Sequence, residues 1–289
     1  MRKKILSFML ALLMCFGLVP TAAFAYCRSL TNMTIPPSMS GIGNQVFEGC
    51  KSLVSVTIPS SVTSIGEGAF CGCECLASVI IPPGVTNIGT GAFERCYNLA
   101  SVTIPSSVTS IEKKVFMGCK SLTSVTIPFG VTSIGYEAFV GCGSLTSVDI
   151  PSSMLNIGQE AFMSCESLTN VTIPSSVTSI GYAAFRDCKN LTSVTISSGL
   201  ASIGSNTFRC CDSLTSVSIP SSVTSIEHMA FHNCHNLSDI YYSGSKAQWK
   251  AVRIGYDNDF LSQCNIHYNS IQPNISDQPM ADPCYLRER

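Results

Sequence analysis

The sequence predicts an α/β solenoid built from stacked coils of 23 residues. A phenylalanine recurs every 23 residues without an insertion, and a cysteine follows each one three residues later. A fixed period of about 20–30 residues is typical of repeat proteins, in which each repeat forms one coil stacked on the last. The two rows predicted to form the core are Phe47, Phe70, Phe93, Phe116, Phe139, Phe162, Phe185, Phe208 and Phe231, and Cys50, Cys73, Cys96, Cys119, Cys142, Cys165, Cys188, Cys211 and Cys234.

Residues 52–74 show the pattern of one coil. Val56 and Ile58 alternate with hydroxyl-bearing residues, which predicts a strand with one buried face, and Pro59 ends it by removing a backbone donor. A second short strand is predicted to carry Val62 and Ile65. An apolar stripe at helical spacing follows and predicts a short helix; it consists of Ile65, Ala69, Phe70 and Cys73. Each coil is therefore predicted to contain a strand, a short strand and a short helix.

Residues 1–25 are predicted to be a signal peptide. Three basic residues open the chain, an apolar run spans residues 5–18, and Ala23-Phe24-Ala25 forms an A-x-A cleavage site. The apolar run is too short to span a membrane comfortably. The sequence therefore predicts cleavage after Ala25, export, and membrane contact only in transit through this segment.

The rest of the chain is predicted to contain a solenoid, a cap and a tail. The solenoid covers residues 26–242 and begins inside a coil, with no cap visible at that end. Residues 243–268 hold the only tryptophan, Trp249, in a helix-like stretch that a strand-like run follows. Such a segment is expected to cover the apolar face of the last coil. Residues 269–289 are polar, contain three prolines and are expected to be disordered.

Composition excludes one class of partner and bears on the cysteines. Only 12% of residues are charged and the net charge is −1, so no basic field exists for nucleic acid. Abundant cysteine in an exported chain often indicates disulfides. Here most cysteines occupy one position of the repeat, which favours a row of buried thiols instead.

The repeated pattern resembles a known family. The run L-x-S-V-T-I-P-S-S-V-T-S-I-G-x-x-A-F-x-x-C, as in residues 53–73, is similar to the BspA-type leucine-rich repeat, and the closing segment around Gln248-Trp249 resembles the ending of such proteins. The resemblance implies a leucine-rich-repeat array in a secreted or cell-surface protein. Several family members are regarded as adhesins. Ser61 stands where the commoner leucine-rich repeat has Asn or Cys, so the curvature of other families does not transfer.

Catalysis and cofactors are not predicted, because a uniform repeat places like residues in rows while an active site needs unlike residues to converge. Two irregular clusters are weak candidates for metal sites. His228, His232 and His235 include a pair at i and i+4, which could reach one metal from a helix. The alternative is a set of solvated surface histidines. The second cluster is Cys71, Cys73 and Cys75, for which neutral drift, a local disulfide and a metal remain open.

Binding residues are predicted on two sides of the solenoid. Tyr136 and Tyr182 are candidate aromatic anchors on the helix side, and the strand side offers an outward hydroxyl row that includes Thr103, Thr126 and Thr172. The predicted function is a non-catalytic exported scaffold for recognition or adhesion, with protein or polysaccharide ligands on host or microbial surfaces. The alternative is a structural or self-assembling surface component. A metal-binding or enzymatic protein is a more distant alternative.

Overall fold

The computed structural model describes residues 23–270, which form a solenoid of parallel strands. Each coil contributes one longer and one two-residue strand. The longer strands are β1 (Asn32–Thr34), β3 (Ser55–Thr57), β5 (Ser78–Ile80), β7 (Ser101–Thr103), β9 (Ser124–Thr126), β11 (Ser147–Asp149), β13 (Asn170–Ile173), β15 (Ser193–Ile196), β17 (Ser216–Ile219), β19 (Asp239–Tyr242) and β21 (Asn265–Tyr268). The short strands are β2 (Gly41–Ile42), β4 (Ser64–Ile65), β6 (Asn87–Ile88), β8 (Ser110–Ile111), β10 (Ser133–Ile134), β12 (Asn156–Ile157), β14 (Ser179–Ile180), β16 (Ser202–Ile203), β18 (Ser225–Ile226) and β20 (Arg253–Ile254).

The sequence period sets the register of the strands. Ser101 pairs with Ser124 and Ser133 pairs with Asn156, so each residue lies beside its equivalent 23 positions further on. The longer strands form a six-stranded sheet from β1 to β11 and a five-stranded sheet from β13 to β21. Because neighbouring coils align like with like, every inward or outward position becomes a continuous row along the solenoid.

The prediction of a short helix in each coil is wrong, because this side consists of tight turns. Two residues per coil adopt the left-handed conformation, as Gly68 (φ 58) and Gly72 (φ 69) do. Phe70 donates its amide to the carbonyl of Ala92 in the next coil at 2.8 Å, and Cys71 donates to Gly68 at 3.0 Å within the turn. Every second backbone amide of these turns therefore donates to a carbonyl of the next coil, and these bonds form a third ladder beside the two strand ladders. In an α-helix the same amides would instead donate to carbonyls four residues earlier in the same coil. We call this face the turn side.

The core contains the predicted phenylalanine and cysteine rows. All nine predicted phenylalanines are fully buried, and their rings stack at spacings between 5.2 and 5.7 Å. Each thiol of the predicted cysteine row is free and donates to the carbonyl of a phenylalanine in the preceding coil, as Cys73 Sγ does to Phe47 O at 3.1 Å. Burial raises the pKa of the Cys142 thiol to about 12. These thiols are packed, hydrogen-bonded core groups.

The first coil includes three residues, 23–25, that the sequence analysis assigned to the signal peptide. Ala23 packs against the core, and Phe24 stacks on Phe47 with ring centroids 5.4 Å apart. Phe24 is therefore a tenth ring in the phenylalanine row. The remainder of the predicted signal peptide, residues 1–22, lies outside the described residues.

The cap contains the helix α1 (Lys246–Ala251), a 3₁₀ helix (Asp259–Gln263) and the strands β20 and β21. Ser245 and Gln248 form a reciprocal capping box at the start of α1. Trp249 packs edge-on against Tyr242, whose ring is buried at the end of the last regular coil. The cap thus covers the open end of the solenoid.

The predicted tail begins inside the cap. Asn269 donates its amide to Gly244 O at 2.9 Å and Ser270 donates to Tyr242 O at 3.2 Å. These two residues, which the sequence placed in the disordered tail, are therefore bonded to the cap. Residues 271–289 lie outside the described residues.

Candidate binding surfaces

The strand side presents an outward row with unused hydroxyl groups. Thr103, Thr126 and Thr172 are all exposed, and they lie in β7, β9 and β13. Among the described residues their side-chain oxygens have no hydrogen-bond partner, so each hydroxyl can donate to and accept from a ligand. Thr103 and Thr126 lie on paired neighbouring strands, at a spacing of about 5 Å. Thr172 lies two coils beyond Thr126, in the five-stranded sheet.

A second set of threonines uses its hydroxyls within the fold. These side chains donate to a carbonyl of the preceding coil, as Thr146 Oγ1 does to Thr123 O at 3.2 Å. Others with the same bond are Thr63, Thr86, Thr123, Thr132, Thr169, Thr178, Thr192, Thr215 and Thr224. The hydroxyl groups of Thr103, Thr126 and Thr172 therefore differ from those of this bonded structural set.

Tyr136 lies on the turn side but is held by its neighbours. The Nζ atoms of Lys113 and Lys114 lie 5.2 and 6.0 Å from its ring centroid, in cation–π geometry. A hydrogen bond to Glu137 raises the pKa of Tyr136 to about 12, and Glu137 also pairs with Lys114 at 3.2 Å. A ligand would have to displace these contacts to use the ring face.

Tyr182 is the more accessible of the two predicted anchors. It occupies the same turn-side position as Tyr136 two coils later, and 44% of the residue is exposed. The structure does not bring the two tyrosines together with Thr103, Thr126 and Thr172, since they lie on different faces of the coil. The predicted residues thus define two separate surfaces.

The structure adds exposed apolar residues that the sequence analysis did not single out. Ile80 is 81% exposed and replaces threonine in the outward row, and Phe129 is 75% exposed in the turn after β9. A search for departures from the repeat at outward positions would have found both. Single exposed apolar residues are common on proteins, so neither defines a site.

A polar cluster on the last strands was also missed. Asp239 accepts hydrogen bonds from Ser238 Oγ at 2.7 Å and contacts His267 Nε2 at 2.8 Å, and Tyr241 stacks on the imidazole at 4.6 Å. The contact with His267, followed by that with Ser238, lowers the pKa of Asp239. Asp239 and Tyr241 lie in β19 of the last coil and His267 lies in β21 of the cap. Their contacts therefore link the cap to the last coil.

The histidines do not have the helical geometry on which the metal prediction depended. His228 and His232 flank Met229, whose φ of 55° belongs to a tight turn. His228 contacts Tyr256 edge-on, and its Nδ1 lies 3.9 Å from Asp257 Oδ2. Within residues 23–270 no group of three or more His, Cys, Asp or Glu side chains could hold a metal ion.

The cluster Cys71, Cys73 and Cys75 consists of three free thiols in different environments. Cys73 is buried in the core row, Cys71 is half-buried and Cys75 is exposed. Burial is the main cause that raises the pKa of the Cys71 thiol to about 11. A raised pKa lowers the thiolate fraction at neutral pH, and the thiolate is the nucleophilic form.

Stacked 23-residue coils with inward leucine, phenylalanine and cysteine rows define the molecule as a leucine-rich-repeat solenoid. The family profile described as "BspA type Leucine rich repeat region (6 copies)" matches residues 18–146 and 132–251. The chain belongs to this family. No curated protein matches it.

The chain is similar to several solved structures of bacterial proteins. A leucine-rich cell surface protein from Faecalibacterium prausnitzii is 34% identical with a TM-score of 0.55; the match covers 80% of this chain but only 65% of the other. A leucine-rich repeat protein from Bacteroides ovatus is 26% identical with a TM-score of 0.59, and the match covers 86% and 78% of the two chains. The pneumococcal vaccine antigen PcpA, at 20% identity and a TM-score of 0.58 over 84% and 68%, shares the fold.

Across residues 23–270, no helix combines the length and the apolar character needed to cross a bilayer.

Proposed function

We propose that this protein is an exported, non-catalytic scaffold that recognises or adheres to host or microbial surface macromolecules. The observation that carries the proposal is that the hydroxyl groups of Thr103, Thr126 and Thr172 are exposed and not used within the described fold, whereas those of the bonded threonines are. The repeat holds Thr103 and Thr126 outward on neighbouring strands of the six-stranded sheet, and Thr172 at the equivalent position on the first strand of the five-stranded sheet. Many weak contacts along this side can add over an extended partner. The Faecalibacterium relative is named a cell surface protein, which supports a surface location here.

Both protein and polysaccharide fit this surface as ligand classes. Hydroxyl groups donate to and accept from backbone amides or sugar hydroxyls alike. The low charge of the chain disfavours ligands that depend on long-range electrostatic attraction. Tyr182 supplies a second contact surface on the turn side, with the aromatic character common at binding hot spots.

A binding array of extracellular matrix proteins and bacterial cell-wall glycans tests the proposal. We expect the purified chain to bind at least one of these probes. One variant replaces Thr103, Thr126 and Thr172 by alanine and another is Tyr182→Ala; loss of binding in one of them assigns the face. A chain that binds no probe above an unrelated leucine-rich-repeat protein would contradict the proposal.

A matched control uses threonines whose hydroxyls are bonded within the fold. Replacing Thr123, Thr146 and Thr169 by alanine removes the same number of methyl and hydroxyl groups and breaks their bonds to the preceding coil. This variant should unfold at a lower denaturant concentration and keep its binding. The contrast separates a surface effect from a change in stability.

Self-assembly is the second candidate, because β1 lies at the edge of its sheet and has an unpaired side within the described residues. Exposed strand edges can pair with another chain. Size-exclusion chromatography with light scattering distinguishes the two functions. A monomer at all concentrations favours the recognition scaffold, and growth of mass with concentration favours assembly.

A further inference from the structure

Ala23 and Phe24 match the repeat itself, although they also form part of the predicted cleavage site. An Ala-Phe pair with a cysteine three residues later defines the start of the turn side in most coils, and Ala23, Phe24 and Cys27 follow that pattern. The other pairs are Ala69-Phe70, Ala92-Phe93, Ala138-Phe139, Ala161-Phe162, Ala184-Phe185 and Ala230-Phe231. Ala23 and Phe24 therefore fit the pattern of a coil as well as that of a cleavage motif.

The contacts of Phe24 are those of a regular coil. Its ring is 4% exposed and stacks on Phe47. Its amide donates to Val46 O at 3.0 Å, as the amide of Phe47 donates to Ala69 O at 2.8 Å. The same inter-coil ladder thus continues through Phe24.

The carbonyl of Phe24 also completes the core thiol row. Cys50 Sγ donates to Phe24 O at 3.0 Å, and Cys73 Sγ makes the equivalent bond to Phe47 O at 3.1 Å. Cleavage after Ala25 would remove the Phe24 ring, its amide and its carbonyl. That would uncover one face of Phe47 and leave the Cys50 thiol without its acceptor, and buried polar groups that lose their partners destabilise a fold.

We propose that the mature chain retains Phe24 and that the signal peptide is cleaved after Ala23. This inference rests on the proposed export. Thr21 and Ala23 supply the small residues that a signal peptidase requires before the cut, two positions upstream of the A-x-A site. Water adds across the Ala23–Phe24 peptide bond, leaving a carboxylate on Ala23 and an ammonium group on Phe24. That ammonium can still donate to Val46 O.

Intact-mass spectrometry of the exported protein tests the cleavage site. The full chain is secreted from a Gram-positive expression host, and the mass of the product identifies its first residue. We expect a chain that begins at Phe24, and a chain that begins at Tyr26 would overturn the inference. An uncut chain retained in the cells would overturn the proposed export as well.

A stability comparison tests the packing argument independently of secretion. One chain begins at Phe24 and the other at Tyr26, and both extend to residue 289. The shorter chain should have a thermal midpoint several degrees lower, and Phe24→Ala in the longer chain should shift the midpoint the same way. Tyr26→Ala serves as a control, because Tyr26 is mostly exposed. Equal midpoints for the two chains would overturn the packing argument.

Discussion

At the residue scale, stability comes from rows of identical side chains. Phe139 is fully buried, and its ring lies 5.4 Å from Phe116 and 5.2 Å from Phe162. Each inner ring therefore contacts one coil on either side and contributes to two interfaces. The sequence period predicted these rows because inward positions tolerate little change of volume.

Phe139→Ala should destabilise the protein by about 3–5 kcal/mol, because it leaves a cavity between two rings. Phe129→Ala is the matched control: the same substitution at an exposed position should change stability by less than about 0.5 kcal/mol. Urea unfolding followed by circular dichroism measures both. Similar losses in the two variants would contradict the assignment of Phe139 to the core.

The turn side carries a backbone requirement that a single substitution can test. Ser164 adopts a φ of 59°, a conformation that glycine reaches with less strain than other residues. Ser164→Gly should therefore stabilise the protein by up to about 1 kcal/mol. Ser167→Gly, at the start of the next coil, should destabilise it, since Ser167 is not in the left-handed region. If both variants lose stability, the assignment of a left-handed conformation to Ser164 is wrong.

At the element scale, the sequence predicted the strands of the coil and failed for the third side. An apolar stripe such as Ile65, Ala69 and Phe70 suits a short helix and also suits two consecutive tight turns with the same inward residues. The recurrent glycines gave the missing signal, since Gly68 and Gly91 share one left-handed position and Gly72 and Gly118 share the other. Lys114 and Ala183 occupy the first position in other coils, which hid the pattern.

The binding surfaces were predicted only in part, for a related reason. Inward rows can be recognised because the same residue type recurs in each coil. Outward positions vary between coils, and this variation does not show which of them bind a partner. Thr103, whose hydroxyl is free, and Thr146, whose hydroxyl is bonded to the preceding coil, cannot be distinguished from the sequence. Phe24 was missed because the cleavage motif accounted for it.

The cap cluster should give the protein a pH-dependent stability at acid pH. The pKa of Asp239 is lowered in the folded state, so its ionised form stabilises the fold above the ordinary aspartate pKa of about 3.9 and that contribution is lost as the pH falls below it. Asp239→Asn should cost about 0.2–1 kcal/mol at pH 6, the usual range for a partly exposed pair.

Urea unfolding of wild type and Asp239→Asn at pH 6 and at pH 3 measures the effect. The difference between the two proteins should shrink at the lower pH. Asp149→Asn is the control, because its carboxylate has no hydrogen-bond partner among the described residues and lies on the strand side, in the row of Thr126. An unchanged difference at both pH values would rule out the ionised Asp239 as its cause.

At the scale of the whole molecule, the coil is the unit of insertion and deletion. Within residues 23–270, the strands of each coil pair with those of the adjacent coils, with equivalent residues in register. Deleting residues 120–142, one full period, should therefore join two compatible coils and preserve a folded solenoid. Deleting residues 120–131 should break the register of every row and abolish cooperative unfolding. Circular dichroism and thermal melting distinguish the two, and a folded product from the shorter deletion would contradict the row structure.

The three hydrogen-bonded ladders hold both proposed binding surfaces on a rigid frame, and the turn-side ladder is the feature that most distinguishes this account from the helical prediction. Hydrogen exchange measured by mass spectrometry tests it most directly. Phe139 donates its amide to Ala161 O at 2.8 Å in the next coil, so turn-side amides in the central coils should be protected as strongly as those of β9 and β11. Turn-side amides that exchange at the rate of open loops, while the strands stay protected, would contradict the account.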